Sequence, residues 1–201
     1  MLYNVVRFAF FLIILGLGFL LLKRLKATRK LFIIVPLSIL WLGLFLTSFS
    51  FPVENLFINF KSPEEVFHYT KIGRIEDIVY GNDSCMIYYF TGTNPYSIYI
   101  PKTAIGYKIP NLFTFRIVST RTNAHGTFQV FNVIDTNDYY IWGGMISSEN
   151  DTHIFDGNGN TIGTFKRIED KGIAYSLYAY VHDLPDGAYT LINGEKVLIA
   201  N

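Results

Sequence analysis

The sequence predicts a two-helix transmembrane hairpin followed by a β-rich extracytoplasmic region, which divides into a small α+β unit and an antiparallel β-sandwich. Three observations carry this reading. All acidic residues lie at Glu54 or later. Two long uncharged apolar runs flank a short cationic stretch before that point. From Ile75 onward apolar residues recur with period two, punctuated by turn residues about every 8–12 positions.

The charge split comes first because the net charge of +1 hides it. Residues 1–53 carry Arg7, Lys23, Arg24, Lys26, Arg29 and Lys30 and no acid, whereas all 16 Asp and Glu lie beyond. Such asymmetry marks a membrane-anchoring segment joined to a soluble one. The acidic remainder argues against nucleic acid as a partner, since phosphate binding needs a positive surface.

Phe8 to Leu22 is uncharged, and with Tyr3 to Arg7 it reaches about 20 residues, the length of a spanning helix. Arg7 is expected to snorkel its guanidinium to the interface. Leu31 to Val53 is a second uncharged run of 23 residues, long enough to span with tilt. The expected helices lie at about 3–22 and 31–50. The loop between them, 23–30, has five cations in eight residues. Short Lys/Arg-rich loops stay in the cytoplasm, so both chain ends are expected outside, with residues 54–201 extracytoplasmic. Cations after the first apolar run, and the lack of a small-x-small site, oppose a cleaved signal peptide. The runs hold no Asp, Glu or His, which opposes an ion path. Gly16 and Gly18 do not make a GxxxG face.

Residues 54–110 read as the α+β unit. Ser62-Pro63-Glu64-Glu65 puts Ser at the N-cap, Pro at the first helical position and Glu three after the cap, so a two-turn helix runs to Gly73. Strands follow at Ile75–Tyr80, Cys85–Phe90 and Tyr96–Ile100, with Ile105–Ile109 a fourth strand or a loop. Residues 111–201 read as almost pure β, with strands near 113–119, 127–134, 139–146, 153–155, 162–167, 173–181, 188–192 and 196–199. Asp156-Gly-Asn-Gly-Asn160, Pro185-Asp-Gly187 and Asn193-Gly194 are hairpin signals. Seven or eight short strands over about 90 residues suggest a sandwich of immunoglobulin-like type.

Two resemblances follow from these residues. The stretches Tyr175-Ser-Leu-Tyr-Ala-Tyr-Val181 and Asp183-Leu-Pro-Asp-Gly-Ala-Tyr-Thr-Leu-Ile192 resemble the last strands of bacterial immunoglobulin-like β-sandwich domains. Phe60-Lys-Ser-Pro-Glu-Glu-Val-Phe67, Gly81-Asn-Asp-Ser84 and Lys102-Thr-Ala-Ile-Gly-Tyr-Lys-Ile-Pro110 resemble small membrane-anchored proteins of Gram-positive (Bacillus/Clostridium-type) bacteria. Over about fifty residues that resemblance implies an envelope location and no mechanism.

Candidate sites are few. Asp156, Asn158 and Asn160 fit positions 1, 3 and 5 of an EF-hand-like calcium loop, but position 6 is Thr161 and position 12 is Arg167, a cation where an anion is needed. A hairpin tip explains the stretch better. His68, His125, His153 and His182 lack zinc-ligand spacing. Cys85 is the one cysteine, expected half-buried on a strand. Ser84 and Cys85 beside Asp83 would make a nucleophile only if a histidine folded close. No G-x-S-x-G elbow, S-x-x-K or phosphate loop occurs. Tyr140 and Trp142 share a strand face, as do Tyr178 and Tyr180. These four are the candidate partner-binding aromatics, against the alternative that they pack the sandwich.

The expectation is a non-enzymatic, membrane-tethered binding, sensing or accessory module of the cell envelope that needs no cofactor. Its partners would be the lipid bilayer and a membrane or envelope protein. The alternatives are an envelope hydrolase with an unrecognised site, or an assembly accessory acting through its hairpin helices.

Overall fold

The structure, a computed structural model, describes residues 2–24, 34–43, 51–123, 126–145, 153–170, 174–192 and 194–200. It is a sheet-rich α+β protein with one long apolar helix at its N-terminus. That helix, α1 (Leu2–Lys23), contains Tyr3–Leu20, the one stretch among the described residues long and apolar enough to cross a membrane. Its apolar side chains are largely exposed, Phe8, Ile13 and Phe19 among them. A second helix, α2 (Ile34–Gly43), is too short in its described part to span. The rest of the expected second span, 31–33 and 44–50, and positions 25–30 of the cationic loop lie outside the described residues. The two helices touch. Phe11 meets the Trp41 ring edge-to-face at 5.1 Å. The missing side chain at Gly18 leaves room for the same indole, since a Cβ there would stand 3.4 Å from Trp41 Nε1.

A 3-10 turn, η1 (Val53–Leu56), leads to α3 (Pro63–Thr70). Ser62 caps α3 as its sequence requires, its Oγ accepting from the Glu65 N–H, while Glu65 reaches back to accept from the Lys61 N–H at 2.8 Å. The first sheet follows, antiparallel in the order β1 (Arg74–Tyr80), β2 (Ser84–Thr91), β3 (Asn94–Thr103), β4 (Gly106–Tyr107). Strand β2 is buried on both faces. Cys85, Ile87 and Tyr89 pack on Val66 and Phe67 of α3, while Met86 and Tyr88 point the other way into a second core. A strand covered on both sides reads as a continuous apolar run, which is what Cys85 to Phe90 is.

The middle sheet has the order β10 (Lys166–Asp170), β11 (Ala174–His182), β7 (Asp138–Met145), β6 (Gly126–Val133), β5 (Phe115–Asn123). The third has the order β13 (Glu195–Leu198), β12 (Tyr189–Ile192), β8 (His153–Phe155), β9 (Thr161–Thr164). These two face each other through Phe128, Val130, Ile141, Leu177 and Val181 on one side and Ile154, Ile192, Val197 and Ile199 on the other. The layers therefore run α3, first sheet, middle sheet, third sheet.

Two features differ from the sequence expectation. The strand expected at 162–167 is two strands in different sheets. Phe165 is buried at the corner where the chain crosses, its ring 5.9 Å from Phe128, and an uninterrupted pattern gives no sign of the switch. The α+β unit and the sandwich also share a core: Met86, Tyr88 and Tyr99 pack with Val133, Tyr140, Ile168 and Tyr178.

Phe67 fills the space between α3 and the first sheet and is fully buried. Phe67→Ala should lower stability by about 3–5 kcal/mol, and Ser62→Ala by about 1 kcal/mol. The shift of the urea midpoint in detergent-solubilised protein measures both.

Candidate functional site

Among the described residues, polar side chains from distant segments converge at two joints. The first lies between the first and middle sheets. Asp138 opens β7 after a tight turn. Asn132 Nδ2 donates to the carbonyls of Thr136 and Asp138, and the Asp138 N–H donates to Thr136 Oγ1. The Asp138 carboxylate is 0% exposed. Its Oδ2 accepts from Ser84 Oγ at 2.6 Å and from the Asp83 N–H at 2.8 Å. Its Oδ1 accepts from Tyr180 OH at 2.8 Å and the Asn82 N–H at 3.3 Å, with His182 Nδ1 also at 3.3 Å. Ser84 gives its one proton to the carboxylate, so the Tyr140 hydroxyl, 2.9 Å away, donates to Ser84. Gly81 stands against this group. A Cβ there would lie 2.6 Å from Asp138 Oδ2 and 2.7 Å from Tyr140 OH, so only glycine permits the approach.

Burial by itself would raise the Asp138 pKa. The hydrogen bonds from Ser84, the Asp83 amide, Tyr180 and His182 outweigh it and hold the carboxyl below its ordinary range. A similar balance holds at Asp77. Burial is outweighed by Tyr178 OH and Lys166 Nζ, which tie this first-sheet carboxylate to the middle sheet.

Ser84, Asp138 and His182 are the residue types of a hydrolytic triad, so their order matters. Acyl transfer needs the imidazole between hydroxyl and carboxylate, to take the hydroxyl proton. Here the carboxylate stands between the other two. Ser84 is buried and bonded to it, while His182 turns its Nε2 to Asp183 at 3.1 Å. Cys85 points into the opposite core, where burial, with the Glu64 charge behind it, pushes the thiol up to about 12. The arrangement holds two sheets together and does not activate a nucleophile.

The second joint connects α1 to the globular layers. Arg7 is 6% exposed and Glu54 4%, with Arg7 Nε 3.5 Å from Glu54 Oε1. The guanidinium lies over the Tyr3 ring at 4.0 Å, and Tyr3 meets Tyr69 of α3 edge-to-face at 6.0 Å. Sequence reasoning sends Arg7 to the water interface. The structure buries it instead, because the fold brings a carboxylate to it. Asn55, the next residue, exchanges two hydrogen bonds with the Ile109 backbone, each 2.8 Å.

The four aromatics of the sequence reading do come together, on the middle-sheet face that the first sheet covers. Tyr140 and Tyr178 are buried, and Tyr178 stacks on Tyr88 at 5.8 Å. Tyr180 and Trp142 are half-buried. At Tyr140, Tyr178 and Tyr180 the face expected to be open is therefore occupied by the chain's own first sheet. Asp156, Asn158 and Asn160 form the β8–β9 hairpin tip. Asp156 Oδ1 accepts from the backbone N–H of Asn158 and Asn160, and Oδ2 from the Asn160 amide at 2.9 Å. The loop thus satisfies its own carboxylate, and the Asn160 amide first holds it below the usual range. No cluster of three metal-ligating side chains occurs among the described residues. His153 pairs with Thr164, His68 packs on Phe67, and His125 lies outside the described residues. Sequence reasoning missed Asp138 and Glu54. A turn Asp and an acid just past an apolar run give no local sign of their distant partners.

No protein-family model, curated protein or solved structure matches this chain.

The Asp138 carboxyl is depressed in the folded state, so its contribution is complete above the unfolded value of about 3.9 and is lost as pH falls through the lower folded value. Stability should therefore decline below about pH 4. Asp138→Asn should flatten that decline and cost about 3 kcal/mol at pH 7. Urea titrations at several pH values measure both effects.

Proposed function

We propose that this chain is a membrane-anchored, extracytoplasmic module of the bacterial cell envelope. It acts by binding rather than by catalysis, and its layered domain is fixed directly to a two-helix hairpin. The observation that carries the reading is the joint of Arg7 and Tyr3 with Glu54 and Tyr69. It ties the N-terminal end of α1 to the segment that follows the second apolar run. A hairpin with both ends on the domain side allows that meeting. The contacts of Phe11 and Gly18 with Trp41 support it. The cationic loop 23–30 belongs at the opposite end, where positive charge is retained in the cytoplasm.

The binding reading is supported by the chemistry of the two joints. The sheet–sheet joint spends its carboxylates and hydroxyls on holding elements together, and at the helix joint Arg7 and Glu54 face each other at 3.5 Å. The Ser84–Asp138–His182 order lacks the contact that nucleophilic catalysis needs. Asp77 and Asp138 bond the sheets across their shared core, which suits a domain that presents a fixed surface rather than one that closes on a substrate.

Single-cysteine labelling in intact cells tests the topology. Asn158→Cys should react with a membrane-impermeant maleimide. Ala27→Cys should react only after permeabilisation. The reverse pattern would overturn the proposal. The native Cys85 is fully buried and does not compete.

A further inference from the structure

Beside the Arg7–Glu54 joint lies an apolar surface that none of the described residues covers. Leu56 is 78% exposed, Phe57 83% and Leu112 71%, with Phe51 and Phe113 at half or more. These residues come from two segments more than fifty positions apart, yet they form one platform. Asn55 fastens one segment to Ile109 of the other. Lys108 Nζ donates to the carbonyls of Asn55 at 2.6 Å and Ile58 at 3.2 Å. The Phe51 and Phe113 rings meet at 5.9 Å.

The depth of this platform follows from α1. The apolar window begins at Tyr3, and Arg7 lies four residues inside it, or about 6 Å along a helix rising 1.5 Å per residue. Glu54 reaches Arg7, so η1 runs beside the second turn of α1 and not beyond its end. Interfacial elements bury their apolar face by about that depth, roughly 5–10 Å. Segments at this level also need their backbone polar groups satisfied. Here the Phe57 and Ile58 N–H groups donate to the Glu54 carbonyl, Lys108 covers the carbonyls that follow, and the Phe113 N–H donates to Asn111 Oδ1 at 2.7 Å.

We infer that Phe51, Leu56, Phe57, Leu112 and Phe113 form a second lipid contact, dipping into the outer leaflet beside the helices, so that the domain lies against the bilayer. The occupant is the membrane itself, because Glu54 holds η1 beside the second turn of α1, the helix whose apolar side chains stand exposed, so the platform sits next to the anchor. This inference rests on the anchored reading proposed above.

The test uses the full chain in phosphatidylcholine–phosphatidylglycerol vesicles. An environment-sensitive fluorophore is placed at Phe57→Cys, Leu112→Cys or Asn158→Cys; the last is the control on the third sheet. All three positions are exposed, so the substitutions leave the core intact. The Phe57 and Leu112 probes should shift to the blue and lose intensity with lipids brominated on their acyl chains, while the Asn158 probe does neither. Carbonate extraction of the same samples separates the two proposals. Probes that match Asn158 in protein that resists extraction would overturn the platform and leave the anchor standing. Extraction of the protein would overturn both. Probes shielded from an aqueous quencher yet untouched by bromolipid would mean that a protein covers the patch, which also overturns the lipid assignment.

Discussion

One buried ion pair decides how this protein is put together. Arg7 is the only charge on the first 22 residues of an otherwise apolar helix, and Glu54 is the first acid of the chain. Each alone would carry a desolvation penalty of several kcal/mol, and at 3.5 Å, with no hydrogen bond to either group among the described residues, their attraction repays only part of it. The contribution of such a pair is therefore to position: an unpaired Arg7 or Glu54, buried as both are, is disfavoured strongly enough that the helix and the 3-10 turn meet. Tyr3, over the guanidinium and against Tyr69, continues the contact to α3. The segment that opens at Glu54 is thereby held against α1 rather than strung from it.

From that joint rigidity passes outward through packed layers. Strand β2 carries it, because its two faces serve two cores: Cys85, Ile87 and Tyr89 meet α3, and Met86 and Tyr88 meet the middle sheet. Apolar contact alone would permit sliding between sheets. The carboxylates of Asp77 and Asp138 restrict that motion, since each is hydrogen-bonded across the gap and Asp138 is wholly enclosed. An enclosed carboxylate with donors from both sheets tolerates only one alignment of them.

The local elements were legible in the sequence. Ser62-Pro63 with Glu65 set the start of α3, and the period-two runs located most strands, because capping and alternation are short-range signals. What escaped was long-range. Gly81 reads as a turn glycine, although its role is to let Asp138 and Tyr140 come close. Asp138 reads as the last residue of a polar turn, although it gathers Ser84, Tyr180 and His182. Tyr140, Trp142, Tyr178 and Tyr180 read correctly as sharing faces, but which face is covered depends on a sheet contributed from forty or more residues earlier. Phe165 continues an apolar pattern and hides the crossing between sheets. The bonding of Arg7 to Glu54 could be suspected from each being alone in its segment, yet only the fold brings the two together.

The most direct measurement is a double-mutant cycle on the anchor joint, read by amide hydrogen exchange across residues 53–58 in the bilayer-reconstituted chain. Arg7→Met or Glu54→Leu alone should lower protection by about 3–5 kcal/mol, since each leaves one buried charge without its partner. Together they should restore most of it, because an apolar pair replaces an ionic one. Singles that leave protection unchanged, or a double that equals their sum, would contradict the account.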